Sequence, residues 1–177
     1  MTDLEMPLLI LAVALTIAVI SDVGTGRIPN WLTLSLILFA PIYYLIHDGA
    51  DGLMFSLSGI GVGICAFIIF YIRGGMGAGD VKLMGAVGGL LGPKGAFLAL
   101  LGTSIVGGVY ALALLAWHGK LAVHLKKYWE TFKGVILTQK INYVPDTPDQ
   151  ALPRLRYGVA IAAGTLLSLG PGSGLFG

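Results

Sequence analysis

Apolar residues fill six stretches of this chain, and polar residues are confined largely to the gaps between them. The stretches are residues 6–20, 31–46, 53–72, 81–91, 95–117, and a last one that starts near 157 and weakens at Gly170-Pro171-Gly172. A helix that crosses a ~30 Å hydrocarbon core uses about 20 apolar residues. The pattern predicts an all-α, polytopic integral membrane protein with about six transmembrane helices. The fourth stretch is short. At ~1.5 Å per residue it covers about half of the core. Either its helix continues upstream into GGMGAGD, or that glycine-rich backbone dips below the membrane surface. Irregular backbone at such depth is tolerated only inside protein or along a wet cavity.

The gap between the fifth and sixth stretches, about residues 119–156, has a pattern of its own. Leu121, Leu125, Tyr128, Phe132 and Val135 or Ile136 recur at helical spacing, with Lys126, Lys127, Glu130 and Lys133 on the other faces. This predicts a basic amphipathic helix on the inner membrane surface. The segment INYVPDTPDQALPRLR after it is polar and Pro-rich and reads as a loop. No internal repeat is evident, and residues 1–177 are expected to form a single membrane-embedded domain. Small residues inside the stretches, such as Gly59, Gly61 and Gly63, or Ala160 and Gly164, suit close helix packing.

Composition agrees with the pattern: 56% of residues are hydrophobic and 11% charged, where a soluble domain carries roughly 25% charged residues. The placement of charge then orients the chain. With six spans, Arg27, Arg73, Lys82, Lys120, Lys126, Lys127, Lys133, Lys140, Arg154 and Arg156 fall on one side, and only Lys94 on the other. Lys and Arg favour cytoplasmic loops. The loops near 22–30, 73–82 and 118–156 are therefore expected in the cytoplasm and both termini outside. No cleavable signal peptide is expected, because Asp3 and Glu5 replace the usual basic start and no small-residue cleavage site precedes Asp22. Cys65 is the sole cysteine, which excludes an internal disulfide and a thiolate metal cluster, and its expected role is packing.

Two acids stand apart from the rest. Asp3, Glu5, Asp48, Asp51, Glu130, Asp146 and Asp149 fall in tails or loops, whereas Asp22 and Asp80 abut apolar stretches directly. Both would lie at the cytoplasmic ends of their helices, at one membrane level. Taken singly, Asp80 could be the N-cap of the fourth helix, and Asp22 a polar stop or a partner of Arg27. Taken together, carboxylates at membrane depth are costly and point to a functional site. Gly74, Gly75, Gly77 and Gly79 lie just upstream of Asp80 and would let an extended substrate backbone approach it. Two carboxylates sharing a proton can activate a water and protonate a leaving amine, which is the logic of aspartic proteases. That chemistry calls for no metal and no cofactor. Ser104 could suggest a serine protease, but His47, His118 and His124 all lie at stretch ends or on the surface helix. Lys82 either anchors its helix at the headgroups or acts near the acids. By the helix macrodipole alone, negative charge is disfavoured at Asp22 and favoured at Asp80, so the shared proton is expected on Asp22.

Asp22 followed by Arg27-Ile28-Pro29-Asn30, and then Gly77-Ala78-Gly79-Asp80-Val81-Lys82, resembles the type IV prepilin peptidases, membrane aspartic proteases of the GxGD type. RYGVAIAAG at residues 156–164 and the short chain look most like the compact branch that serves Flp-type (tight-adherence) pili. The resemblance covers nearly the whole chain. It implies an inner-membrane endopeptidase that removes the short leader of prepilins or pseudopilins at the cytoplasmic face. Asp22 and Asp80 match the catalytic aspartates, and Gly77, Gly79 and Lys82 become candidates for positioning substrate. Its partners would be a prepilin or pseudopilin precursor and the lipid bilayer, with no nucleic acid. Larger members also methylate the new N-terminus and carry paired CxxC motifs, which a single cysteine cannot supply. Two alternatives use the same acids. One is a presenilin- or signal-peptide-peptidase-type GxGD protease, which typically has Tyr where Ser21 stands here. The other is a small proton-coupled carrier, which would need a polar path across the bilayer.

Overall fold

The computed structural model describes residues 5–119 and 156–170. Four helices account for them: α1 (Glu5–Thr25), α2 (Asn30–Ile72), α3 (Ala78–Trp117) and α4 (Tyr157–Ser168), with no strand among the described residues. The fold is all-α. By length and composition, α1, α2 and α3 can cross a membrane, while α4, at 12 residues, is shorter.

As straight rods, α2 with 43 residues and α3 with 40 would be ~65 and ~60 Å long, about twice the ~30 Å hydrocarbon core. Neither is straight. Gly49 (φ 64, ψ −142) breaks α2, and Gly92 (φ 70, ψ −178) breaks α3. Both positions take the left-handed φ that favours glycine.

Cross-helix contacts show that the breaks are reversals rather than kinks. Lys82 Nζ donates to Asn30 Oδ1 at 3.0 Å and Tyr44 Oη donates to Leu90 O at 2.7 Å, so residues 30–48 run parallel to residues 78–91. Ser56 Oγ donates to Gly89 O at 2.9 Å, and Gly63 lies against the Met84 backbone, so residues 50–72 run antiparallel to the same segment. The two halves of α2 therefore run in opposite directions. In α3, a Cβ placed on Gly88 would lie 3.2 Å from the Ala96 Cβ. Eight residues of straight helix would separate these positions by ~12 Å, so the chain doubles back at Gly92 as well. The six expected stretches thus correspond to six helical segments.

Two of the boundary differences bear on the site. α1 continues to Thr25 rather than stopping at Ser21, so Asp22 lies inside its last turn. The short fourth helix begins at Ala78, not Val81, because the glycine stretch contributes its last residues to the helix. Residues 74–77 stay outside it as a turn, with Gly74 (φ 74) donating to Tyr71 O at 2.9 Å and Gly75 to Phe70 O at 3.0 Å.

Packing follows the rules of a protein solvated by hydrocarbon. Large apolar side chains such as Leu9, Val13, Leu38, Ile42, Ile69 and Ile105 point outward, while Asp22, Thr33, Ser56, Asp80, Thr103 and Thr165 are buried. Small residues set the closest approaches. A Cβ on Gly59 or on Gly88 would run into the other's carbonyl oxygen, and Gly102 meets Gly164 in the same way. Cys65 does not pack as expected; it is exposed, because its helix turns that face outward.

The reversal at Gly92 strands backbone carbonyls. Pro93 has no N–H to offer the carbonyl of Gly89, four residues earlier. Ser56 Oγ takes over that role, and Tyr44 Oη satisfies the next carbonyl, Leu90. Two side chains from the two halves of α2 thereby pin the far end of the segment that carries Asp80 in its first turn.

The chain groups into two compact units, residues 1–107 with 156–177, and residues 108–155. Of the second unit, residues 108–119 are described and include the end of α3. The surface helix expected from Leu121 to Ile136 lies outside the described residues.

Candidate active site

The site is assembled at the ends of three helices. Asp22 sits in the last turn of α1, where four carbonyls lack helical donors. Thr25 Oγ1 donates to Ser21 O at 2.9 Å, and the Gly26 N–H donates to Asp22 O at 2.9 Å. The Arg156 guanidinium, arriving just before α4, donates to Val23 O and, at 3.5 Å, to Asp22 O. A cation at a helix C-terminus also suits the macrodipole. Ser21 Oγ donates to Arg27 O at 2.9 Å, which closes the turn leading to Pro29 and α2. Arg27 engages this turn through its carbonyl, and its guanidinium forms no ion pair with Asp22 among the described residues.

Asp80 sits in the first turn of α3. It is not the N-cap. Gly77 takes that place, since its carbonyl accepts from Val81 N–H at 3.5 Å. Asp80 occupies the third helical position and reaches back, its Oδ2 accepting the Gly77 N–H at 3.0 Å. This is the acidic half of a capping box. Gly77 therefore touches Asp80 itself. Gly79 has its own reason to lack a side chain: a Cβ there would lie 3.1 Å from the Ile28 Cβ. With Lys82 bonded to Asn30, the RIPN and GAGDVK segments are docked on each other at two points. Lys82 is half-buried and donates to Asn30, not to either acid, among the described residues.

Both carboxylates are buried, Asp22 at 5% and Asp80 at 9% exposure. They are close enough for their charges to repel. Asp22 Oδ2 accepts the Gly158 N–H at 3.0 Å, from the first turn of α4. Tyr157, next to it and half-buried, lies within electrostatic reach of Asp80. Asp22 feels more than the field of its own helix. The N-terminus of α4 offers the same carboxylate a positive end, which opposes the α1 contribution. Each acid thus receives one backbone amide from a helix N-terminus.

Arg156, Tyr157 and Gly158 were not singled out as site residues from sequence. The only signal was the RYG at the head of RYGVAIAAG, too short to assign a role. Ser104 is exposed and donates to Leu100 O of its own helix at 2.8 Å, and no base bonds to it among the described residues. Among the described residues, no group of three His, Cys, Asp or Glu side chains could hold a metal ion.

Two acids brought together from the ends of apolar helices invite comparison with known proteases, and a family model matches residues 9–112: the type IV leader peptidase family. The chain belongs to that family. No curated protein and no solved structure matches it. The match includes Asp22, Asp80 and the reversals at Gly49 and Gly92; α4 with Gly158 lies beyond it. The chain is thus a peptidase, and its long apolar helices make it a membrane protein.

Proposed function

We propose that this peptidase is an aspartic endopeptidase of the inner (cytoplasmic) membrane. It removes the short leader of Flp-type type IV prepilins or pseudopilins at the cytoplasmic face, with Asp22 and Asp80 as the catalytic pair. One observation carries the reading: two buried carboxylates within electrostatic reach of each other, each held by a backbone amide through one oxygen. In aspartic proteases two carboxylates share one proton, and the same division of labour is assigned to this pair.

The ionised acid takes a proton from a water, whose oxygen adds to the scissile carbonyl carbon. The protonated acid donates to the carbonyl oxygen. Collapse of the tetrahedral intermediate breaks the C–N bond, and the amine leaves with a proton returned from the pair. The exposed turn at Gly74, Gly75 and Gly77 lies immediately before Asp80, where an extended substrate backbone could lie. Lys82, held by Asn30, presents a cation beside it for an acidic group of the substrate.

All six helical segments cross the bilayer in this reading, and α4 makes a short crossing. The reversals at Gly49 and Gly92 support alternating directions. They leave Asp22, Arg27, Arg73, Asp80, Lys82 and Arg156 near segment ends opposite Lys94, which by the positive-inside bias is the cytoplasmic end.

Co-expression with an Flp-type pilin precursor tests the assignment. The intact chain should yield a product shortened by the leader. Asp22→Asn and Asp80→Asn should insert normally and yield none. Cleavage at near wild-type rate by either variant would remove that acid from the mechanism.

A further inference from the structure

We propose that the start of α4 belongs to the catalytic apparatus: Gly158 is the positioning residue for Asp22, and Arg156 clamps the α1 turn that carries it. The inference rests on the reading of Asp22 as catalytic.

The two acids are anchored in the same way but from different places. Asp80 Oδ2 takes the amide of Gly77, three residues away. Asp22 has no such local donor, because its own helix ends there with carbonyls. Its amide comes from Gly158, 136 residues along the chain. In both acids the bonded oxygen is Oδ2, and Oδ1 accepts no hydrogen bond among the described residues. Each carboxylate therefore has one oxygen fixed and one left for the shared proton and the water.

The fit at Gly158 is close enough that any side chain there would displace the Asp22 carboxylate. A Cβ there would lie 2.9 Å from Asp22 Oδ2, 3.1 Å from its Cβ and 3.2 Å from its Cγ. Glycine is the residue that lets the amide reach the carboxylate while the helix passes beside it. Arg156 completes the grip two residues earlier. Its guanidinium holds the carbonyls of Asp22 and Val23, so backbone and side chain of Asp22 are gripped from one short stretch. If Gly158 were present only for helix packing, it would resemble Gly102 and Gly164, which meet backbone. Instead, the three nearest atoms are all side-chain atoms of Asp22.

The test uses the full chain in lipid bilayers, with Gly158→Ala, Arg156→Gln and Arg156→Lys. Gly61→Ala serves as control, since a Cβ at Gly61 meets nothing within 4 Å. Two readouts are taken: kcat and KM on an Flp-type pilin precursor, and the rates of carbodiimide modification at Asp22 and Asp80, read by peptide mass spectrometry. Alanine keeps the amide, but its Cβ pushes the carboxylate away from it, which should lower kcat about ten- to a hundredfold in Gly158→Ala, with KM within about twofold of wild type. The modification rate should change at Asp22 and not at Asp80. Arg156→Gln should shift both readouts in the same direction by about two- to tenfold, and Arg156→Lys should restore part of the loss. Arg156 is exposed, so its variants carry the test if Gly158→Ala fails to insert. The proposal is overturned if the variants keep wild-type kcat and Asp22 labelling, or if labelling changes equally at both acids, which would mark general loosening. If even the wild-type chain cleaves no pilin precursor, the leader-peptidase reading fails, while the labelling arm still decides whether Gly158 positions Asp22.

Discussion

The reversal at Gly92-Pro93 makes a quantitative demand on two side chains. Ser56 Oγ, fully buried, donates at 2.9 Å to the Gly89 carbonyl that Pro93 cannot serve, and Tyr44 Oη donates at 2.7 Å to Leu90 O. Ser56→Ala leaves an acceptor buried without its donor. Stranding a buried carbonyl costs about 1–3 kcal/mol in general. Inter-helix hydrogen bonds within membrane proteins contribute less, about 0.6 kcal/mol on average and up to about 1.7. The Gly89 carbonyl has lost its helical donor for a covalent reason, so the upper part of that narrower range applies. We expect Ser56→Ala to destabilise by about 1–1.5 kcal/mol, about a tenfold change in the unfolding equilibrium. Tyr44→Phe, which keeps the ring packed edge-on against Phe55, should cost about 1 kcal/mol. Ser58→Ala is the internal control: Ser58 is exposed and donates to Phe55 O of its own helix, so its loss should stay within about 0.5 kcal/mol. Reversible unfolding in mixed micelles, titrated with a denaturing detergent and followed by tryptophan fluorescence, measures all three. If Ser56→Ala is no less stable than Ser58→Ala, the carbonyls at the break are satisfied in some other way and the argument from Pro93 is wrong.

Other substitutions probe different links. Gly88→Ala should disrupt folding, because its Cβ meets the Gly59 carbonyl oxygen across two backbones, whereas Gly61→Ala should leave thermal stability unchanged. Lys82→Gln should raise KM for a pilin precursor more than it lowers kcat, and Asn30→Ala should do the same more weakly by releasing the Lys82 amine; unchanged kinetics in both would leave Lys82 only an anchoring role. For topology, Asp48→Cys on a Cys65→Ala background should be labelled from outside intact cells by a membrane-impermeant thiol reagent, and Lys133→Cys should not. The reverse pattern would place the two acids on the outer face. Carbodiimide modification of Asp22→Asn and Asp80→Asn should show comparable reactivity in the remaining acid, since each carboxylate is held by one amide. A large difference would restore unequal roles for the pair.

Much of this molecule was legible in its sequence, because the bilayer imposes its dimensions on apolar runs. Six stretches separated by polar gaps predicted six helical segments, and the reversals fall where the pattern weakens, at Gly49 and at Gly92-Pro93. Pro41 lies inside one stretch and does not end its helix, as the apolar run there implied. The two acids were conspicuous because a carboxylate beside an apolar run is costly, and GAGD placed Asp80 beside its anchor Gly77 through a contact only three residues long. Contacts that span the chain were not legible. The donor for Asp22 is a backbone amide, which every residue but proline carries, so no residue type could announce it. Gly158 looked like one more small residue in a packing helix, and Arg156 like one more cation in a basic loop. Only the approach of α4 to the end of α1 gave them a common partner. For the same reason the macrodipole argument at Asp22 was incomplete: sequence supplies the field of the helix a residue belongs to, and tertiary structure alone supplies the field of the helix brought against it.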